Sequence, residues 1–155
     1  MKKITILSLD QAQKTGYAIY RKGEIIKSGT WKLPDNRKYI RYFELLTKTI
    51  EKYGITEIVA EDILYHPQKQ SVLLALGALR GILLERCDAY DIPKPTFIMP
   101  DEIKRFATNY KYASKENMID AIKKKGYNPV DDNEADALWL MLYYLNQNNI
   151  SIDKK

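Results

Sequence analysis

Ile4 to Leu9 form a nearly continuous apolar run that stops abruptly at Asp10. An unbroken run of this length suits a strand covered on both faces, because a strand with one wet face alternates apolar and polar residues. The stretch Ile55 to Leu64 repeats the pattern: Ile58, Val59 and Ala60 lead straight into Glu61 and Asp62. Doubly covered strands belong to sheets with helices packed on their faces.

The rest of the chain supplies those elements. Gly16 to Tyr20 reads as a second strand, Gly23 as a tight turn, and Ile25, Ile26 and Trp31 as a third extended segment, giving a three-stranded meander. After Pro34-Asp35-Asn36, Ile40, Phe43, Leu46 and Ile50 recur at helical spacing until Gly54. Ser71 to Tyr90 is helical but apolar around most of its circumference, so it should be buried on two sides. The second side is met either by a partner subunit, most simply a two-fold copy, or by central burial within one domain. Pro93 and Pro95 bracket a turn into a short strand, Thr96 to Met99, and Pro100-Asp101-Glu102 opens a helix. Helices over Lys115–Lys125 and Asp132–Asn146 follow, and residues 151–155 read as a frayed polar tail. The order predicts an α/β fold with a mixed five-stranded sheet flanked by helices.

Composition narrows the class further. At 155 residues, the chain suits a single domain over 1–150 and excludes multidomain machinery. Cys87 is the lone cysteine, which leaves no internal disulfide and no thiolate zinc site. The apolar run after Met1-Lys2-Lys3 is too short for a secretion signal, and no stretch reaches transmembrane length, so the expected location is cytoplasmic, with no membrane partner. The net charge of +5 is compatible with a polyanionic partner without requiring one. Twelve tyrosines, against two Trp and three Phe, suit surfaces that are apolar on the ring and wet at the hydroxyl, although an AT-rich coding sequence produces the same bias.

Carboxylates at element ends carry the chemistry. Asp10 and Glu61 end their strands, and Asp131, Asp132, Glu134 and Asp136 crowd the start of the last helix. Singly, each has an ordinary explanation as a turn former, a solvated strand end or a helix cap. A cap needs one carboxylate, however, and Asp132 and Asp136 stack at i and i+4, where like charges repel. If the first and fourth strands are neighbours, Asp10 and Glu61 join the cluster, and a divalent cation would offset the repulsion. Oxygen donors without paired His or Cys indicate Mg²⁺, with Mn²⁺ as a substitute. Two such ions about 4 Å apart are suited to phosphodiester hydrolysis. Between Ile103 and Lys115 stand Lys104, Arg105, Lys111 and Lys115 with no acid among them, interleaved with Phe106, Tyr110 and Tyr112. Such a segment can neutralise phosphates and stack on unpaired bases, or it can be a solvated helix face over core aromatics.

Several segments in order then match a known pattern: the strand ending in Asp10, Thr15-Gly16-Tyr17, Val59-Ala60-Glu61, Leu76-Gly77-Ala78-Leu79-Arg80-Gly81 and Glu134-Ala135-Asp136-Ala137-Leu138. Together they span nearly the whole chain and resemble the RuvC-type Holliday-junction resolvases, most of all the shorter phage-encoded members. The resemblance implies an RNase H-like fold, a homodimer through the Ser71–Tyr90 helix, and a Mg²⁺-dependent endonuclease of DNA recombination and repair that nicks opposed strands of a four-way junction. It also implies a bacterial host for a phage-encoded protein. Asp10 takes the first metal-bridging role, Glu61 the second and Asp136 the final helix carboxylate. The family's fourth position falls on Asn133, with Asp132 one residue back and within about 100° of it around the helix; Asp132 is preferred because its carboxylate binds cations strongly. The family's Asp-Pro-Gly is Asp10-Gln11-Ala12 here, in a loop one residue shorter than the bacterial pattern. Leu64 or Tyr65 stands where the family wedges open the junction centre. Alternative readings are an RNase H-like nuclease of RNA, forks or flaps, and a junction-binding protein without catalysis.

Overall fold

The computed structural model describes residues 3–153; Met1, Lys2 and the last two residues of the expected tail lie outside the described residues. The chain forms β1 (Thr5–Asp10), β2 (Lys14–Arg21), β3 (Glu24–Lys32), α1 (Lys38–Tyr53), β4 (Glu57–Glu61), α2 (Gln70–Ala89), β5 (Thr96–Ile98), α3 (Pro100–Thr108), α4 (Lys115–Lys124) and α5 (Asp132–Gln147). The sheet order is β3-β2-β1-β4-β5. β1 to β3 form the antiparallel meander, while β4 lies parallel to β1 and β5 parallel to β4. This mixed five-stranded sheet with flanking helices is RNase H-like.

The two-residue period of β1 divides the core. Ile6 and Ser8 face α5, whereas Leu7 and Leu9 face α1 and α2. Val59 joins the α5 side and Ile58 and Ala60 the other. α5 is buried over most of its length, with Ala135, Ala137, Leu138, Trp139, Leu140 and Met141 between the sheet and α3–α4. Each large apolar side chain so buried contributes roughly 1.5–3 kcal/mol. The helix approaches the sheet closely because its side of β1 and β2 carries small residues: Ser8 Oγ donates to Ala137 O at 2.7 Å, and Ala18 is fully buried. At Gly16 an added Cβ would stand 1.8 Å from Asn133 O, so only glycine admits the helix there.

Three sequence expectations shift. β4 is shorter than the predicted Ile55–Leu64 stretch, because the chain leaves the sheet at Glu61. In α1, Ile40 and Phe43 are exposed, and Tyr42 takes the buried position beside Leu46 and Ile50. Tyr42 can enter the core because its hydroxyl accepts a hydrogen bond from Gln11 Nε2. α2 is buried on one side only, through Leu79, Leu83 and Cys87, so it is not a central helix of this chain; Val72 and Leu74 face outward. Within the expected tail, Ser151 O accepts from the Tyr20 hydroxyl and Asp153 N donates to Gly23 O. Among the described residues no helix is long and apolar enough to cross a membrane.

Candidate active site

The register of the parallel pair β1–β4 places Leu9 beside Ala60. One residue further along both strands, Asp10 and Glu61 therefore emerge side by side at the sheet's carboxyl edge, where sites in open α/β sheets gather. The close approach of α5 at Gly16, the register partner of Asp10, brings the first turns of α5 onto the same spot. Asp136 and Asp132 thereby come within electrostatic reach of Asp10. All four carboxylates keep an open side to solvent.

Electrostatics confirm the crowding. Burial first, and then the neighbouring Glu61 and Asp132, push the Asp10 carboxyl well above the ordinary carboxylate range. Burial also raises Glu61, partly offset by its hydrogen bond with Asp10. Asp136 is pushed up to about 7, by burial and then by Asp10 and Asp132, against the opposing pull of Lys104 and Lys115. Lys115 Nζ meets Asp132 Oδ2 at 3.1 Å.

The other acids of α5 have local tasks. Asp131 caps the helix: its Oδ1 accepts from Glu134 N (2.9 Å) and Thr30 Oγ1 (2.7 Å). Burial opposes its charge, but these hydrogen bonds prevail and hold it below its ordinary value. Glu134 is buried and accepts from Ser28 Oγ at 2.7 Å and Val130 N at 2.6 Å. The Asn133 side chain bonds to Asp131, while Asp132 faces Lys115 and Asp10. Glu134→Ala should therefore cost about 2–3 kcal/mol of stability in urea unfolding, by stripping buried donors of a charged acceptor, and should leave the specific activity of the folded fraction unchanged.

The positively charged residues divide in two. Lys104 and Lys115 act on the acids electrostatically, whereas Lys111 lies over the Tyr112 ring and Arg105 is exposed on α3 without contact to the cluster among the described interactions. Leu64 lines a cavity of about 290 Å³ with Asp10, Glu61, His66 and Leu73; Tyr65 beside it is 77 % exposed. Two supports escaped the sequence reading. Asp62 Oδ1 accepts from Arg80 at 2.7 Å, and the Arg80 guanidinium lies 3.5 Å above the Phe97 ring, tying α2 and β5 to the residue after Glu61. Lys115, assigned above only to DNA, meets the acid cluster directly. Its place at the first position of α4, behind the Ser114 cap, was the available clue.

The donor set suits a hard divalent cation: every donor is a carboxylate oxygen, and the repulsion between them is only partly offset by two lysines. Among the described residues no three His, Cys, Asp or Glu side chains already stand in an ion-holding arrangement, so binding requires side-chain adjustment. The pKa shifts make the metal-free state testable. Between pH 4 and about 7 the folded protein retains a proton on Asp136 that the unfolded chain has released, so this contribution to stability is present at low pH and lost as pH rises through about 7. In EDTA, Asp136→Asn should gain on the wild type across that window by up to about 4 kcal/mol. A difference that is flat with pH would contradict the assigned crowding.

No family model matches the chain. A curated relative, the crossover junction endodeoxyribonuclease RuvC of Thermomicrobium roseum, is 26 % identical over 139 residues, covering 83 % of this chain and 84 % of that protein. Among solved structures, T. thermophilus RuvC in complex with Holliday junction substrate superposes with a TM-score of 0.77 at 13 % identity, covering 96 % of this chain and 98 % of that one. The yeast mitochondrial Holliday junction resolvase Ydc2 gives 0.57 at 14 % identity, over 87 % and 75 % of the two chains. The chain thus resembles the RuvC-type resolvases in sequence and shares their fold.

Proposed function

We propose that this chain is a Mg²⁺-dependent endodeoxyribonuclease that resolves four-way DNA junctions, with Asp10, Glu61, Asp132 and Asp136 as its metal-binding and catalytic residues. The observation that carries the reading is the convergence of these carboxylates, from two parallel strand ends and one helix, into a partly open cluster whose charges repel. Asp10, Glu61, Asp132 and Asp136 would hold divalent ions, two per site in this reading, and such ions would supply activation of water and stabilisation of the leaving oxygen. Asp10 feels both Glu61 and Asp132, so it is the residue that would be shared between two ions. The Lys115 ammonium, now paired with Asp132, would be available to a phosphate if a cation took over Asp132, and Lys104 offers a second positive charge acting on Glu61 and Asp136. Arg105 and Lys111 would add to that positive charge, and either Leu64, which lines the cavity with Asp10 and Glu61, or the exposed Tyr65 next to it in sequence would enter the junction centre.

One site per chain makes one cut, and junction resolution needs two. We infer a homodimer through α2, whose outward side presents Val72, Leu74, Gly77, Ala78 and Gly81. Both glycines have open space where a Cβ would stand, which suits close approach of a second helix. In this reading residues 1–150 act as one nuclease domain, and a phage-encoded protein works in the cytoplasm of a bacterial host. Leu74→Glu should yield a monomer by sedimentation at micromolar concentration and convert paired cuts to isolated nicks; a wild-type monomer would refute the interface.

Substrate choice is tested with labelled four-way junction, fork, flap, linear duplex, RNA–DNA hybrid and single strand, each with and without Mg²⁺. Symmetric cuts in the junction, leaving 5′-phosphate and 3′-hydroxyl ends, are the expected result. Preferential cutting of forks, flaps or hybrid would reassign the substrate, and junction binding without cutting would mark a non-catalytic relative.

A further inference from the structure

The turn between α3 and α4 presents two rings that the fold does not use. Tyr110 and Tyr112 are 57 % and 67 % exposed. They stand edge to face with centroids 5.6 Å apart, and Lys111 Nζ lies 4.7 Å from the Tyr112 centroid. Phe106, the third aromatic of this segment, is engaged inward, edge-on to Trp139 at 5.9 Å and to Tyr143 at 5.4 Å. Packing therefore accounts for Phe106 and leaves the two tyrosines unexplained.

The turn holding them is firmly built. Asn109 ends α3 in the left-handed conformation, with φ of 63°, and its N–H bonds to Arg105 O at 2.8 Å. The Thr108 hydroxyl donates to Lys104 O at 2.9 Å and accepts from Tyr110 N at 3.3 Å. Ala113 N bonds to Tyr110 O at 3.2 Å, and the Ala113 side chain is buried, anchoring the far end. Ser114 then caps α4, accepting from Asn117 N at 3.1 Å. The next residue is Lys115, whose ammonium touches Asp132 in the acid cluster. A pinned turn thus holds two rings in water within five residues of the lysine that contacts Asp132.

Resting on the junction-nuclease reading, we propose that Tyr110, Lys111 and Tyr112 form a platform for unpaired nucleobases of a branched DNA strand entering the site. Every base has a face that can stack on an aromatic ring, so such a platform selects unpaired strand without selecting sequence. No acid interrupts the segment from Ile103 to Lys115, which favours a polyanion over an apolar protein surface as the occupant. Moving Lys111 Nζ from the Tyr112 ring onto a phosphate would clear one ring face and neutralise the backbone in the same step.

The test measures affinity without divalent ions for fluorescein-labelled oligo-dT of about 16 nucleotides, the upper end of the site sizes of single-strand-binding grooves, for a blunt duplex of equal length and for a four-way junction. The double substitution Tyr110→Ala with Tyr112→Ala should weaken oligo-dT and junction binding roughly 10- to 100-fold and leave duplex affinity within about twofold. The paired Phe substitutions should retain wild-type affinity, because stacking needs the ring and not the hydroxyl. Lys111→Ala should weaken all three ligands and lower the salt slope by about 0.7–0.9. If the double alanine protein is less stable, Tyr112→Ala alone and the Phe pair carry the comparison. Unchanged oligo-dT affinity, or an equal loss on duplex, overturns the platform. Failure of the nuclease reading looks different: no cutting in Mg²⁺, with tyrosine-dependent oligo-dT binding intact.

Discussion

Asp10→Asn should reduce Mg²⁺-dependent junction cutting by about 10³-fold or more while junction binding is retained or tightened. Asp10 lies at the centre of the cluster: it shares a hydrogen bond with Glu61 and feels the charge of Asp132. An amide in its place would offer a cation one neutral oxygen instead of a charged carboxylate, and its N–H₂ could not act as a ligand. The same change relieves like-charge repulsion and makes the surface facing DNA less acidic, so affinity and stability move opposite to activity. That opposition separates a catalytic carboxylate from a structural one. A structural Asp10 would lose stability and binding together on substitution, and a site that does not use it would keep cutting. Rate under single-turnover conditions and binding in Ca²⁺, measured on the same preparations, distinguish the three cases.

Gly16→Ala should be as damaging to the site by a different route. The new Cβ would stand 1.8 Å from Asn133 O and 2.4 Å from its carbonyl carbon, both backbone atoms that cannot rotate aside. Relief requires the start of α5 to move off β2, and Asp132 and Asp136 move with it, away from Asp10 and Glu61. The expected cost is about 3 kcal/mol of stability, with cutting reduced by more than about 10²-fold even in the folded fraction. Raising Mg²⁺ should recover part of that activity, since the ligands remain and only their placement suffers. A variant with wild-type stability and Mg²⁺ response would show that the helix start is not held where the structure puts it.

Much of this site was legible because its residues interrupt strong patterns. Apolar strands that end in Asp10 and Glu61 draw attention to those carboxylates, and the crowding of acids around Asp136 exceeds what a helix cap needs. The adjacency of β1 and β4 was a condition in the sequence and a fact only in the fold, because strand pairing across about 50 intervening residues leaves no local trace. Periodicity also misled where side-chain chemistry decided burial. Ile40 and Phe43 fit the helical stripe of α1, yet Tyr42 entered the core once Gln11 met its hydroxyl. The close approach at Gly16 could have been suspected from Ser8, Gly16 and Ala18, small residues on one face of two paired strands. The contact of Lys115 with Asp132 depends on how far a flexible side chain reaches, which spacing does not encode.

If these carboxylates form one metal-binding catalytic centre, anomalous scattering from crystals soaked in Mn²⁺ will reveal it. Mn²⁺ is expected at about 2.0–2.3 Å from Asp10, with Glu61 and Asp136 sharing the coordination, Asp132 rather than Asn133 completing it, and Lys115 released from Asp132. Saturating Mn²⁺ that leaves Asp10 unliganded, or that binds only at sites away from the ends of β1 and β4, would contradict it.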